Sequence, residues 1–134
     1  MDDTTRQTIE HCAQSSKDGS AHFPDIVKAL IGAGVESYFA DYRASATRYY
    51  LPDGDTHAVP LVPPGGVPIS ERFDSAALQQ AIRGAQAGRV MYPEFLRLSR
   101  AAGCVGYITW LAGQQVTYFG RLGETHVEPF PGRT

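Results

Sequence analysis

The chain has 134 residues, of which 43% are hydrophobic and 19% are charged, and its net charge is −2. This composition is typical of a single globular domain, 1–134, and excludes an intrinsically disordered chain. The Lys and Arg residues are scattered, so we expect no nucleic-acid partner. The longest uncharged apolar run, residues 101–115, is too short for a bilayer helix, so we expect no membrane partner either.

Four helices are predicted, two in each half of the chain. Apolar residues recur from Ile9 with the i, i+3, i+4, i+7 spacing of a surface helix, and the same spacing recurs from Leu78. Thr5 and Asp74 precede these two helices as predicted N-caps. The second helix of each half ends at a glycine, Gly34 or Gly103.

Six strands follow these helices, three in each half. They are predicted at residues 35–43, 46–51 and 56–61, and at residues 104–112, 115–120 and 125–130. Short turns make each set an antiparallel meander, which predicts an α+β fold with the meanders in one sheet or in two. The first strand of each set is apolar on both faces, so we expect it to be covered on both faces.

One sequence offset relates the two halves. Aligning His57 with His126 sets an offset of 69 positions between the halves. At this offset, residues 23–61 align with the second half without a gap, and nine of these 39 positions are identical. Chance would supply roughly two or three identities in a window of this length. We therefore predict an internal duplication of a helix-helix-three-strand unit about a pseudo-twofold axis, with repeats 5–61 and 74–130. A Pro/Gly-rich crossover, 62–73, joins them. The shared residues are Pro24/Pro93, Ala33/Ala102, Gly34/Gly103, Tyr38/Tyr107, Tyr49/Tyr118, Gly54/Gly123, Thr56/Thr125, His57/His126 and Pro60/Pro129.

The cysteines and the start of the chain indicate where the protein works. Cys12 and Cys104 do not coincide under the offset, so we predict two reduced, packed thiols and a cytoplasmic location. The first five residues are acidic and no apolar stretch follows them, so no secretory signal is predicted.

An acid-Thr-His triplet occurs in each half, as Asp55-Thr56-His57 and as Glu124-Thr125-His126. In a strand, the acid and the His project from one face, where a carboxylate can orient an imidazole for base catalysis or metal binding. Glu128 adds an acid on that face of the second copy only. The alternative interpretation is structural, with both acids closing turns. Neither copy offers three ligands, so we predict no metal and no cofactor.

Repeated tyrosines form the second candidate feature. Such strand aromatics pack in a core, or they line a pocket in which Tyr38, Tyr49 and His57 face their equivalents. The predicted ligand-binding residues are Tyr38, Tyr49, His57, Tyr107, Tyr118, Glu124, His126 and Glu128.

Several strings carry a family resemblance: residues 34–38 with Asp41-Tyr42-Arg43, Gly106-Tyr107-Ile108 with Tyr118-Phe119-Gly120, and residues 126–130. With these strings the chain resembles the YdfO-like family, also called domain of unknown function 1398. Its members are bacterial and prophage proteins, often labelled phage envelope protein. The resemblance covers roughly residues 5–130 and implies an α+β fold. It implies no activity, no catalytic residue and no cofactor.

These observations favour a non-enzymatic protein that binds a protein partner or forms a homodimer, because no complete catalytic constellation accompanies the aromatic strands. One alternative is a small-molecule binder or an enzyme that uses Tyr38, His57, Tyr107 and His126 in paired clefts. Another is a phage-related structural protein, which the family label implies.

Overall fold

The computed structural model describes residues 1–61 and 67–132, which form four helices and six strands. The helices are α1 (Asp3–Lys17), α2 (Phe23–Gly32), α3 (Ser75–Gln86) and α4 (Tyr92–Ala101). The strands are β1 (Ser37–Asp41), β2 (Ala46–Tyr50), β3 (Thr56–Pro60), β4 (Cys104–Trp110), β5 (Gln115–Gly120) and β6 (Thr125–Pro129). The predicted α+β class is therefore confirmed.

An aspartate side chain caps the N-terminus of the first helix in each half. The Asp74 carboxylate accepts a hydrogen bond from the Ala77 N–H at 3.0 Å, which confirms the predicted N-cap of α3. The prediction that Thr5 caps α1 is wrong, because the Asp2 carboxylate accepts from the Thr5 N–H at 2.7 Å. Asp is the stronger capping residue of the two, and α1 therefore begins earlier in the chain.

All six strands belong to one antiparallel sheet, in the order β3-β2-β1-β4-β5-β6. The two meanders therefore meet in one sheet, through the central pair β1 and β4. In that pair Phe39 lies opposite Ile108, and Ser37 lies opposite Trp110. The offset of 69 relates Phe39 to Ile108, so this register is the one that a pseudo-twofold axis would require. The duplication and the repeat boundaries stay predictions.

The predicted crossover 62–73 is described only from residue 67 onwards, and residues 62–66 lie outside the described residues. Its later part runs beside the end of α4, where the Ser70 N–H donates to the Arg100 carbonyl oxygen at 3.0 Å. Gly103 has a φ of +87°, and a Cβ there would lie 2.1 Å from the Arg72 carbonyl oxygen. The crossover can approach the end of α4 only because this residue is glycine.

The helices cover one face of the sheet. Buried apolar residues of all four helices pack in a single core with the strand face that carries Tyr38 and Tyr107. The opposite face, here called the open face, carries Phe39, Tyr50, Ile108, Trp110, Phe119 and Val127. None of these side chains joins that core, and Trp110 is 39% exposed. The prediction that the first strands are covered on both faces is therefore wrong for the described chain.

Candidate functional site

A cavity of about 260 Å³ lies between the helices and the sheet. All four helices and all six strands contribute to its lining, and most of its wall is apolar, including Ile26, Val59, Ile82, Phe95, Leu96 and Val116. Two small helical residues, Ser16 and Ala85, also border it and leave its space unfilled. Protein interiors are normally close-packed, so an apolar cavity of this size is the first candidate for a binding site.

The sheet register brings the four predicted tyrosines together on the floor of this cavity. Tyr38 lies between Tyr49 on β2 and Thr109 on β4, while Tyr107 lies opposite Tyr118 on β5. The ring centroids of Tyr38 and Tyr49 are 5.2 Å apart, and those of Tyr107 and Tyr118 are 5.5 Å apart. An edge-to-face contact at 6.3 Å between Tyr38 and Tyr107 joins the two pairs. Packing and pocket lining are therefore two roles of the same rings.

The hydroxyl groups on this floor differ in their partners. The Tyr107 hydroxyl donates to the Tyr92 hydroxyl at 2.7 Å. Within residues 1–61 and 67–132, the other hydroxyls that border the cavity have no hydrogen-bond partner in the protein: those of Ser16, Tyr38, Thr47, Tyr49, Thr109 and Tyr118. Buried polar groups are nearly always paired, so the fully buried Thr109 Oγ1 is an exception, and the tyrosine hydroxyls beside it can accept a partner from outside the chain.

Burial keeps these tyrosines protonated. It raises the pKa of Tyr38 to about 12; the nearby Thr109 hydroxyl opposes this shift, although the two groups do not reach hydrogen-bond geometry. Burial also raises the pKa values of Tyr49 and Tyr118 well above their ordinary range. All three side chains are therefore neutral O–H groups at pH 7, and each can donate a hydrogen bond.

The two predicted histidines do not line the cavity. His57 belongs to β3 and His126 to β6, which are the two outer strands at opposite edges of the sheet. His57 Nε2 lies 2.7 Å from Glu10 Oε1 on α1. His126 Nε2 lies 3.1 Å from Glu128 Oε2 on its own strand. Each imidazole is thus held by a different acid, and the fold does not bring the two rings together.

Glu128 is the one predicted acid that borders the cavity, and its carboxylate is already engaged. Arg83 of α3 and His126 both contact it. Burial alone would raise the pKa of Glu128. The hydrogen bonds from Arg83 and His126 lower this pKa by more than burial raises it, so the net pKa lies below its ordinary value. The carboxylate is therefore ionised and paired at neutral pH. Arg83 stands 45 positions away in sequence, and no local pattern indicated it.

The acids of the two triplets close turns. Glu124 Oε1 accepts from the Leu122 N–H at 2.8 Å, and Asp55 Oδ1 accepts from the Thr56 N–H at 2.9 Å. Neither Glu124 nor Asp55 borders the cavity. This geometry matches the structural interpretation of the triplets.

Sequence reasoning missed Thr109 and Tyr92 as cavity residues. Strand alternation could have found Thr109, because it projects from the same face as Tyr107 two positions earlier. The offset of 69 aligns Tyr92 with Phe23 in the sequence. Both residues border the cavity, Tyr92 from the first turn of α4 and Phe23 from the first turn of α2. The aromatic identity shared by these two helix starts was the available signal.

Metal-binding side chains, long apolar helices and reactive thiols are the other features that could carry a function in the described ranges. No three His, Cys, Asp or Glu side chains in residues 1–61 and 67–132 converge on a position suited to a metal ion. In the same ranges, no helix has the length and apolarity needed to cross a membrane. Cys12 and Cys104 are free and buried. Burial raises the pKa of the Cys104 thiol to about 11, so this side chain is not a thiolate at neutral pH.

The fold and the site define a small α+β protein in which four helices and one six-stranded sheet enclose a cavity. A family model described as protein of unknown function (DUF1398) matches residues 11–128, and the chain belongs to this family. The chain is similar to uncharacterized protein Rv2012 of Mycobacterium tuberculosis and to uncharacterized protein Mb2035 of Mycobacterium bovis. Each is 30% identical over 129 residues, which are 95% of this chain and 77% of the relative. The YdfO-like and phage labels and the cytoplasmic location stay predictions.

Proposed function

We propose that this protein binds a small organic molecule in the cavity between its helices and its sheet, without transforming it. The observation that carries the proposal is the largely apolar cavity of about 260 Å³, to which every helix and strand contributes. Small-molecule sites typically begin at about 300 Å³. An apolar cavity of about 150 Å³ holds benzene, so this one has room for a bicyclic compound.

The protonation states favour binding over catalysis. The floor tyrosines have raised pKa values, so they are already protonated at neutral pH and cannot act as bases. His57 and His126 lie at opposite edges of the sheet, outside the cavity lining. Glu128 is ionised and held by Arg83. A catalytic site needs an acid, base or nucleophile poised at the reacting atom, and these residues do not supply one; His22, the one histidine among the described lining residues, is exposed at the start of α2.

Blocking the cavity tests the proposal. The probe is 2-acetonaphthone, a neutral bicyclic ketone, and its binding is measured by isothermal titration calorimetry. Ala85 borders the cavity, so Ala85→Phe should abolish binding, whereas Ala77→Phe on the exposed side of the same helix should bind like the wild type. Ser16→Phe closes the cavity from α1 and serves if Ala85→Phe does not fold. Binding that persists in the folded blocked variants, or no binding by the wild type, would contradict the proposal.

A second candidate function is self-association through the open face. Trp110 is 39% exposed and Val127 is 49% exposed on this face, and the Phe39 and Phe119 rings contact each other at 6.5 Å. Phe39 and Ile108 form an apolar centre on this face, and Arg48 and Asp41 beside them carry opposite charges, so a second copy can stack on an apolar patch with a polar surround. Light scattering should then report a dimer for the wild type and for Leu122→Lys, which lies off this face, and a monomer for Trp110→Lys. A wild-type monomer at high concentration would contradict this candidate.

A further inference from the structure

Three neighbouring strands bring three unpartnered hydroxyls into one row on the cavity floor. Tyr49 on β2, Tyr38 on β1 and Thr109 on β4 lie side by side in the sheet. Directly opposite residues in an antiparallel pair have Cβ atoms about 4.5–5.5 Å apart, so the three side chains leave the sheet side by side. Tyr118 adds a fourth hydroxyl from β5. Their side chains are buried, with Tyr38 only 5% exposed.

These hydroxyls differ from the paired ones elsewhere in the core. The Tyr42 hydroxyl lies 2.8 Å from Ser99 Oγ, and Tyr42 does not border the cavity. Among the tyrosines that border the cavity, Tyr107 and Tyr92 pair with each other, whereas Tyr38, Tyr49 and Tyr118 have no hydrogen-bond partner among the described residues. A neutral tyrosine hydroxyl can donate one hydrogen bond and can also accept one, and an acceptor atom such as a carbonyl oxygen complements its O–H donor.

The cavity lacks a free counter-ion for a charged ligand. The described lining residues include one Lys, one carboxylate and one His, namely Lys17, Glu128 and the exposed His22. Glu128 is engaged by Arg83 and His126. Lys17 is exposed at the end of α1, where water screens it. A charge buried among the floor hydroxyls would lose its hydration without gaining an opposite charge.

We infer that the ligand is an uncharged, largely apolar ring compound that carries an oxygen acceptor, and that the acceptor binds at the row formed by Tyr49, Tyr38 and Thr109. This inference rests on the proposed function and adds the chemical class and the orientation of the ligand. The apolar body of the compound contacts the wall residues Phe95, Ile82 and Val116, while the acceptor oxygen accepts hydrogen bonds from the row.

Four probes with one ring system test the chemical class: 2-acetonaphthone, naphthalene, 2-naphthoate and 2-naphthylmethylammonium. Dissociation constants are measured by calorimetry at one pH and salt concentration. The ketone should bind about twofold to tenfold more tightly than naphthalene for each hydrogen bond that it gains. The anion and the cation should bind at least about a hundredfold more weakly than the ketone. Equal or tighter binding of either ion would overturn the inference.

Two Tyr→Phe variants test the orientation. Tyr38→Phe should weaken binding of the ketone by about twofold to tenfold and leave binding of naphthalene unchanged. Tyr42→Phe is the matched control, because its hydroxyl is outside the cavity, and both probes should bind it as they bind the wild type. If Tyr38→Phe affects both probes equally, or neither, the acceptor does not bind at this row. A third outcome separates the two proposals. If all four probes bind the wild type equally well and none binds Ala85→Phe, the inferred ligand class is refuted and the proposed cavity function stands.

Discussion

Thr109→Val should stabilise the protein without ligand. Thr109 is fully buried, and its Oγ1 has no hydrogen-bond partner among the described residues. Valine has nearly the same shape and the same branching at Cβ, so the substitution removes an unsatisfied hydroxyl and leaves the packing intact. A buried unsatisfied group costs about 1–3 kcal/mol, and we take the lower limit, a gain of about 1 kcal/mol. For a chain of this length that gain corresponds to a rise in Tm of about 4 °C.

Thermal unfolding followed by circular dichroism measures the change, and urea unfolding gives the free energy. Ser99→Ala is the matched control, because Ser99 is equally buried but its hydroxyl is paired with that of Tyr42 at 2.8 Å. Removing this partner should cost about 1–3 kcal/mol, opposite in sign to the effect at Thr109. If Thr109→Val destabilises the protein by as much as Ser99→Ala does, Thr109 is a satisfied core residue and this prediction is wrong.

The remaining predictions concern the crossover, the edge of the cavity and the thiols. Gly103→Ala should cost at least about 3 kcal/mol in urea unfolding, because its Cβ would collide with the Arg72 carbonyl; Gly34→Ala, at a φ of +86° with open space around it, should cost only about 1 kcal/mol. The folded-state pKa of Glu128 is lowered, so its stabilising effect is present above about pH 4.5 and is lost as the pH falls through the lower folded value. Glu128→Gln should therefore reduce the wild-type loss of Tm between pH 5 and pH 3, and an unchanged pH profile would count against the Arg83 contact. Ellman's reagent at pH 8 should label neither cysteine in the native protein and both after unfolding, because both thiols are buried; fast labelling of the native protein would contradict the packing.

Local chemistry made much of the fold predictable. Apolar spacing from Ile9 and Leu78 indicated α1 and α3, and Asp74 marked the start of α3. Gly34 and Gly103 marked the ends of α2 and α4, where both residues have a positive φ. These signals act over a few residues, and the physics that produces them is contained in the same few residues.

The assembly of the sheet could not be predicted in the same way. Alternation shows which side chains share a face of one strand, but it does not show which strands are neighbours. The choice between one sheet and two depended on the pairing of β1 with β4, which joins residues about 70 positions apart, such as Phe39 and Ile108. The same limit explains the open face, since the pattern shows that a face is apolar but not whether a second layer of structure covers it.

In the candidate site, too, local sequence patterns predicted part of the arrangement and the pairing of distant strands decided the rest. Alternation and the offset grouped Tyr38 with Tyr49 and Tyr107 with Tyr118, and the sheet places these four rings on one floor. His57 shared their pattern but belongs to an outer strand, where Glu10 of α1 contacts it from 47 positions away. The strand order, rather than the local sequence, decides which side chains border the cavity.

Isotope-filtered nuclear Overhauser spectroscopy with methyl-labelled protein and unlabelled 2-acetonaphthone locates the probe in solution and so shows whether it binds in the cavity. The cavity account predicts contacts from the probe protons to the methyl groups of Ile82 and Val116, which border the cavity. The same contacts should disappear in Ala85→Phe. Contacts to the methyl groups of Ile108 and Val127 on the open face, without any to Ile82 or Val116, would contradict the account.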